Sequence, residues 1–163
     1  MNPLQTAILR HTTTDGRHHF DWLLAEEAIV QPDARETLCW RCPRLLTAMN
    51  VRDHMVVEAI SKHRGFYLTL QSARELDGGR GRVEPIARGW AHELHEKCNP
   101  HKSRVAQHMP ATSADETVKC RTFILRFEGT PPLRVTLQGD LLTRVDDLRI
   151  WMWASDCARV ICA

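Results

Sequence analysis

Long apolar runs, lysine and tyrosine are scarce in this chain of 163 residues. No run of about 18 apolar residues occurs, which predicts no membrane span, and the N-terminus has no apolar signal core, which predicts a cytoplasmic protein. The formal net charge of +2 is too small to identify a nucleic-acid-binding protein by itself. Lysine occurs only at positions 62, 97, 102 and 119, so arginine, which suits bidentate phosphate contacts, supplies most of the positive charge.

The chain is rich in short strand-like segments that end at glycine or proline. We predict strands over residues 4–10, 19–24, 38–42, 66–71, 82–87, 122–127, 133–138 and 148–153. Residues 47–60 are ambiguous between helix and strand, and residues 91–118 are predicted to be an irregular insertion. The length suits one domain over residues 1–163. Regularly spaced short strands predict a mainly β protein, for which we choose a small single-domain β-barrel with short helices or a long loop insertion.

The segment from residue 8 to residue 24 combines histidines with an aspartate beside a predicted Asp-Gly turn. Residues two apart share one face of a strand, so His19 and Asp21 would point one way while Trp22 points into a core. His11, on the strand before the turn, could add a third ligand. Two histidines and one carboxylate form a facial metal site with open positions, suited to Mn, Fe or Zn. The alternative is an ordinary hairpin with polar residues outward.

His63 and Tyr67, the only tyrosine, form a second candidate cluster. An imidazolium, a phenol and nearby guanidinium groups all donate hydrogen bonds, so they could together bind a phosphate. An exposed histidine beside a half-buried tyrosine, with no function, is the alternative. Arg44 follows a predicted strand and is either one of these anion-binding groups or a solvated side chain.

A third possibility is a structural zinc site. Its four candidate ligands come from a Cys-x-x-Cys and a Cys-x-x-His motif: Cys39, Cys42, Cys98 and His101. Together they could hold zinc tetrahedrally. Against this, Cys39 and Cys42 lie on a predicted strand, where residues three apart face opposite sides.

Several motifs follow one another in the first half of the chain: Trp40-Arg-Cys-Pro-Arg44, Lys62-His-Arg-Gly-Phe-Tyr67, Gly79-Arg-Gly-Arg-Val83 and Ala87-Arg-Gly89. With His11, His19 and Asp21 before them, they resemble the 3′-phosphoesterase domain of bacterial end-joining DNA ligase D and its stand-alone relatives. That family has a His, a short turn and His-x-Asp-x-Arg, then Trp-x-x-Pro-Lys, Asp-His-x-x-x-Tyr, Gly-x-Gly-x-Val and Asp-Arg-Gly in the same order. The resemblance covers residues 8–90.

Membership of that family implies a small β-barrel that removes 3′-phosphates or 3′-ribonucleotides from DNA during repair. By this resemblance, the metal ligands would be His11, His19 and Asp21. The ion would be Mn²⁺, with Zn²⁺ or another divalent metal as alternatives. The phosphate would be bound by Arg44, His63 and Tyr67, of which His63 and Tyr67 are the catalytic candidates. The implied partners are nucleic-acid 3′ ends and, as further candidates, end-joining repair proteins, with no membrane and with a monomeric state.

Besides having Arg44 in the place of the family's lysine, the chain departs from the family pattern at three positions. Leu23 occupies the place of a phosphate-binding arginine, Ala87 that of an aspartate, and Lys62 that of another aspartate. Losing a guanidinium from a phosphoryl-transfer site could cost several kcal/mol of transition-state binding. The alternatives to a phosphoesterase are therefore a catalytically weak or inactive module that binds nucleic-acid ends through Arg44, or the zinc-stabilised interaction domain.

Overall fold

The computed structural model describes residues 2–94 and 120–145, which are folded mainly as strands. The ten strands of these ranges are β1 (Leu4–Thr12), β2 (His18–Leu24), β3 (Arg35–Cys42), β4 (His54–Val56), β5 (Glu58–Arg64), β6 (Arg74–Glu75), β7 (Arg82–Leu94), β8 (Cys120–Phe127), β9 (Leu133–Gln138) and β10 (Leu141–Arg144). The helical segments are three short 3₁₀ turns, Leu46–Ala48, Gly65–Thr69 and Asp77–Gly79. The described part of the chain holds no helix with the length and apolar character needed to cross a bilayer.

The strands form one antiparallel sheet in the order β4-β10-β9-β8-β7-β1-β2-β3-β5, with β6 beside β7. The mainly β expectation is confirmed, but the sheet is not closed into a barrel. Its two end strands, β4 and β5, are separated in the chain only by Val57 and do not pair with each other. The chain itself links the two ends of the sheet, and the Val57 amide donates to the Asp140 carbonyl at 2.7 Å.

Most of the strand predictions within the described ranges are confirmed, with boundaries extended by a few residues. The prediction of a strand over 66–71 is wrong, because this apolar segment forms the 3₁₀ turn Gly65–Thr69 and packs on the sheet through the buried Leu68. Strand β7 continues to Leu94, so residues 91–94 of the predicted insertion at 91–118 are strand, and the rest of that prediction lies outside the described residues. The predicted strand at 148–153 also lies outside them, whereas β10 was not predicted.

Strand alternation divides the buried side chains between two clusters on opposite faces of the sheet. The larger one, called the inner cluster below, includes Ile8, Trp22, Leu24, Trp40, Phe123, Leu125 and Val135. At its centre Trp22 stacks on Trp40 with ring centroids 4.7 Å apart. The outer cluster is smaller, is built on β1, β2 and β3 under the 3₁₀ turn at 65–69, and consists of Ala7, Leu9, Leu23, Ala25, Cys39 and Leu68. The candidate site lies on this outer face.

Candidate metal centre

His11, His19 and Asp21 converge on the outer face, where β1 and β2 pair. His11 lies directly opposite His19 in the register, and Leu9 lies opposite Asp21. The His19 Nε2 atom is 3.5 Å from Asp21 Oδ1, and the His11 Nδ1 atom is 4.0 Å from Asp21 Oδ2. One ligand atom from each of the three residues lies within 4.8 Å of the others. Antiparallel pairing thus brings together two imidazoles and one carboxylate, as the alternation in the sequence predicts.

Two polar atoms of this triad are buried, and neither has a hydrogen-bond partner among the described residues. They are His19 Nε2 and Asp21 Oδ1, which face each other. Asp21 is only 3% exposed, and an unpaired carboxylate buried to that extent is costly unless a cation or donors compensate it. The donor set of two imidazoles and a carboxylate fits a divalent transition metal such as Mn, Fe or Zn. The residues present therefore fit the metal that the sequence predicts.

A backbone carbonyl orients the ring of His11. The Nε2 atom donates to the Arg80 carbonyl at 2.8 Å, which leaves Nδ1 as the nitrogen with a lone pair directed at Asp21. Metal-binding histidines usually donate their other ring N–H to a carbonyl or carboxylate in this way. Gly81, the next residue, permits the chain to approach β1 closely, since a Cβ there would lie 2.1 Å from the Thr12 carbonyl oxygen. Its φ of +92° independently favours glycine.

The environment of His19 favours the neutral imidazole that binds metals. Burial lowers the pKa of His19, and the Asp21 carboxylate partly offsets this by raising it, while Arg41 lowers it further. A metal must displace any proton on its ligands, so a lowered pKa reduces competition from protons at neutral pH. His18, by contrast, is exposed and contacts Phe20 edge-on at 5.8 Å, so it takes no part in the triad.

A pocket of about 380 Å³ opens beside the triad, with His11 and Asp21 in its wall. His63 and Tyr67 also line it, and their rings are 5.7 Å apart. The His63 Nδ1 atom interacts with the Ser61 carbonyl at 2.9 Å, which leaves Nε2 as the second ring nitrogen. Five arginines complete the polar wall: Arg35, Arg41, Arg64, Arg74 and Arg80. The structure therefore brings two members of the predicted triad, His11 and Asp21, and the predicted His–Tyr pair into the wall of one cavity.

Arg44 does not line this pocket. Its guanidinium donates to Asp53 at 3.2 Å and to the His54 carbonyl at 3.1 Å. Arg41 lies directly opposite Asp21 in the pairing of β2 with β3 and does line the pocket. The sequence offers Arg17, Arg41 and Arg64 as substitutes for the family's arginine, and of these Arg41 and Arg64 line the pocket. No local signal marked Arg74 or Arg80.

Leu23 is fully buried in the outer cluster beneath the site. It lies opposite Ala7 on β1 and opposite Cys39 on β3, so its position is an apolar packing position in this chain. The positive charge of the pocket comes from other strands and loops instead.

The two cysteines of the Cys-x-x-Cys motif lie on opposite faces of β3. Cys39 belongs to the outer cluster and Cys42 to the inner cluster, so they cannot bind one zinc ion together. Burial is the main cause that raises the pKa of both thiols, that of Cys42 to about 12. Cys98 and His101 lie outside the described residues. The four-ligand zinc site is therefore wrong as predicted, because strand geometry separates its first two ligands.

Comparisons with known proteins identify no relative of the chain. No family model, no curated protein and no solved structure matches it. The function of the chain is therefore inferred from the residues of the candidate site.

Proposed function

We propose that this chain is a metal-dependent phosphoesterase that acts on nucleic-acid 3′ ends, as the resemblance to the DNA ligase D phosphoesterase domain implies. The observation that carries the proposal is the joining of the His11, His19 and Asp21 triad to an arginine-lined pocket. A metal-binding triad alone would fit many activities. Its position in the wall of a cation-rich cavity favours an anionic substrate such as a phosphate ester.

The charges of the pocket support an anion as its occupant. Five arginines line it against three acidic residues, Asp21, Glu75 and Asp77. Arg35 and Arg64 lie directly opposite each other on β3 and β5, and like charges at that position destabilise a sheet. A phosphate between such guanidinium groups would relieve the repulsion and accept paired hydrogen bonds from each.

The residues of the pocket divide the chemistry among themselves. His11, His19 and Asp21 would hold the ion, which would polarise a phosphoryl oxygen and activate water. The arginines bind and orient the phosphate and stabilise the charge that develops on it. His63, whose Nδ1 interacts with the Ser61 carbonyl, can hold or release a proton at Nε2. The Tyr67 hydroxyl is a further donor at the same wall.

The test is release of inorganic phosphate from a DNA primer that carries a 3′-phosphate, measured with and without Mn²⁺. We expect Mn²⁺ to stimulate release, and His19→Ala to lower the rate at least 100-fold because it removes a metal ligand. The matched control is His18→Ala, since His18 is the adjacent exposed histidine outside the triad. Wild-type protein that binds Mn²⁺ but turns over neither a 3′-phosphate nor a 3′-ribonucleotide would contradict the enzymatic proposal.

A module that binds nucleic-acid ends without catalysis is the second candidate, and the burial of Leu23 favours it, because the family's arginine is replaced by a packing residue. Such a module would bind a 3′-phosphorylated primer with an affinity that falls steeply with salt and would form no product. Given the pocket lining, its binding should depend on Arg64 and not on Arg44. Product formation by the wild type eliminates this candidate.

A further inference from the structure

A second group of metal-ligand side chains lies beside the first and shares one residue with it. Asp21, Cys39 and His63 offer a carboxylate oxygen, a thiol sulfur and an imidazole nitrogen, all within 4.8 Å of one another. Three neighbouring strands supply them, since Asp21 is on β2, Cys39 on β3 and His63 on β5. Such an arrangement is held by the sheet itself, which makes it more rigid than a site built on loops.

Two further observations indicate a ligand at this second group. Asp21 is 3% exposed, and its buried Oδ1 atom has no hydrogen-bond partner among the described residues. The His63 ring is oriented through Nδ1 by the Ser61 carbonyl, which is the arrangement by which proteins fix the remaining nitrogen of a metal-binding histidine. One oxygen of the carboxylate, 3.5 Å from His19 Nε2, lacks a hydrogen-bond partner among the described residues, and the imidazole of His63 is already aligned.

We propose that Asp21, Cys39 and His63 form a second divalent-cation site, and that the Asp21 carboxylate bridges it to the ion held by His11 and His19. The thiolate makes this site softer than the first, so it selects zinc or cobalt over manganese. Paired ions bridged by a shared group lie about 3.5–4 Å apart in two-metal sites. A contribution of the second ion to phosphate binding rests on the proposed function, whereas its binding by this chain does not. When the second ion is bound, His63 Nε2 is its ligand and does not serve as the proton-transfer group described above.

The competing explanation for Cys39 is that it is an apolar residue of the outer cluster, as buried free cysteines often are. Cys42 provides an internal comparison, because it is equally buried but belongs to the inner cluster on the other face of β3. Only Cys39 has a carboxylate and an imidazole within reach. Substitutions of these two cysteines therefore distinguish a role in metal binding from a role in packing.

The experiment is titration of the metal-free protein with Co²⁺. Binding is monitored by the near-ultraviolet thiolate-to-cobalt charge-transfer absorption, and the metal content is measured after gel filtration. We expect the wild type to bind two Co²⁺ ions per protein chain, with the thiolate-to-cobalt band present at saturation. Cys39→Ser should reduce the metal content to one ion and abolish the band. The control Cys42→Ser should keep both ions and the band, and His19→Ala should keep the band while it weakens the first site.

Circular dichroism of each metal-free variant establishes that it folds. Absence of a thiolate band from the wild type at saturating Co²⁺ would overturn the proposal, as would a band that survives Cys39→Ser or disappears with Cys42→Ser. Because the readout is metal binding and not turnover, failure of the second site leaves the phosphoesterase proposal to its own assay. Conversely, an inactive protein that shows the Cys39-dependent band retains the second cation site.

Discussion

The two faces of the sheet at β2 are built by alternate residues of the same strand but differ in what they bury. On the inner face Trp22 and Leu24 are fully buried among apolar neighbours, and the Trp22 indole donates to Thr6 Oγ1 at 3.0 Å. On the outer face Asp21 is almost as deeply buried, yet one of its oxygens lacks a hydrogen-bond partner among the described residues.

The difference shows that burial of Trp22 is compensated by apolar and hydrogen-bonding neighbours, whereas burial of Asp21 leaves a carboxylate oxygen without a hydrogen bond among the described residues. Fully paired or apolar burial lowers the free energy of the folded state. Burial of an uncompensated carboxylate opposes folding, and binding sites often retain such groups at a cost in stability. Substitutions of Trp22 and of Asp21 should consequently change stability in opposite directions.

The largest expected effect is on the inner face. Trp22→Ala removes the stacking on Trp40 and the edge contact with Phe123, whose ring centroid is 5.7 Å away. Truncation of a buried aromatic side chain costs about 3–5 kcal/mol of unfolding free energy, measurable by urea denaturation. His18→Ala on the same strand is exposed and should change it by less than about 0.5 kcal/mol. A loss below about 1 kcal/mol for Trp22→Ala would mean that the inner cluster is not the main core.

An intermediate effect of opposite sign is expected on the outer face. In the metal-free protein, Asp21→Asn should raise the unfolding free energy by about 1 kcal/mol, because a neutral amide replaces the buried carboxylate and can donate to His19 Nε2. The same variant should lose the stabilisation that Mn²⁺ gives the wild type, which is about 2.7 kcal/mol at 100 times the dissociation constant. Thermal unfolding with and without Mn²⁺ measures both quantities.

His18→Ala should retain the full stabilisation by Mn²⁺ and serves as the control for Asp21→Asn. If Asp21→Asn instead destabilised the metal-free protein, the carboxylate would be compensated by the protein itself. The contrast between the two faces would then be lost.

The smallest effect concerns an ion pair outside both clusters. Hydrogen bonds from the Asn50 amide and the Arg44 guanidinium lower the pKa of Asp53. A lowered folded-state pKa favours folding when the carboxyl is ionised, so the contribution is complete above the ordinary aspartate pKa of about 3.9 and is lost as the pH falls through the lowered value. Asp53→Asn should therefore destabilise the protein slightly at neutral pH, with the difference from wild type shrinking below about pH 4.

Urea denaturation of wild type and Asp53→Asn between pH 7 and pH 2 tests this. A difference in unfolding free energy that grew on acidification would contradict the lowered pKa of Asp53. Arg44→Ala should reproduce part of the effect without lowering phosphate affinity, since Arg44 lies outside the pocket. Loss of phosphate binding in Arg44→Ala would restore the role that the resemblance implies for this residue.

The sequence was sufficient for elements whose structure depends on neighbouring residues. The alternation of His19, Asp21 and Leu23 with Phe20 and Trp22 predicts both the strand and the separation of its two faces, because consecutive side chains of a strand point in opposite directions. The Asp-Gly turn before it predicts the pairing that sets His11 opposite His19. The candidate metal ligands His11, His19 and Asp21 can therefore be selected from the sequence alone.

Other features depended on contacts between distant segments, which local patterns do not encode. The apolar segment at 66–71 has strand-like composition but is a 3₁₀ turn in the structure, since it is buried by packing on the sheet. The sheet stays open because its end strands β4 and β5 do not pair, and the Arg44 guanidinium is bound by Asp53. The structure of each of these segments depends on the distant residues that it contacts after folding.

By itself, the sequence determined the strand-rich character, the two-sided alternation of β2 and the candidate triad of His11, His19 and Asp21. Only the tertiary structure decided that five arginines from separate elements line the adjacent pocket, that Cys39 joins Asp21 and His63, and that Cys42 does not. The physical reason is that alternation is a property of each strand alone, whereas a pocket and its charges arise from strand order, register and loop packing.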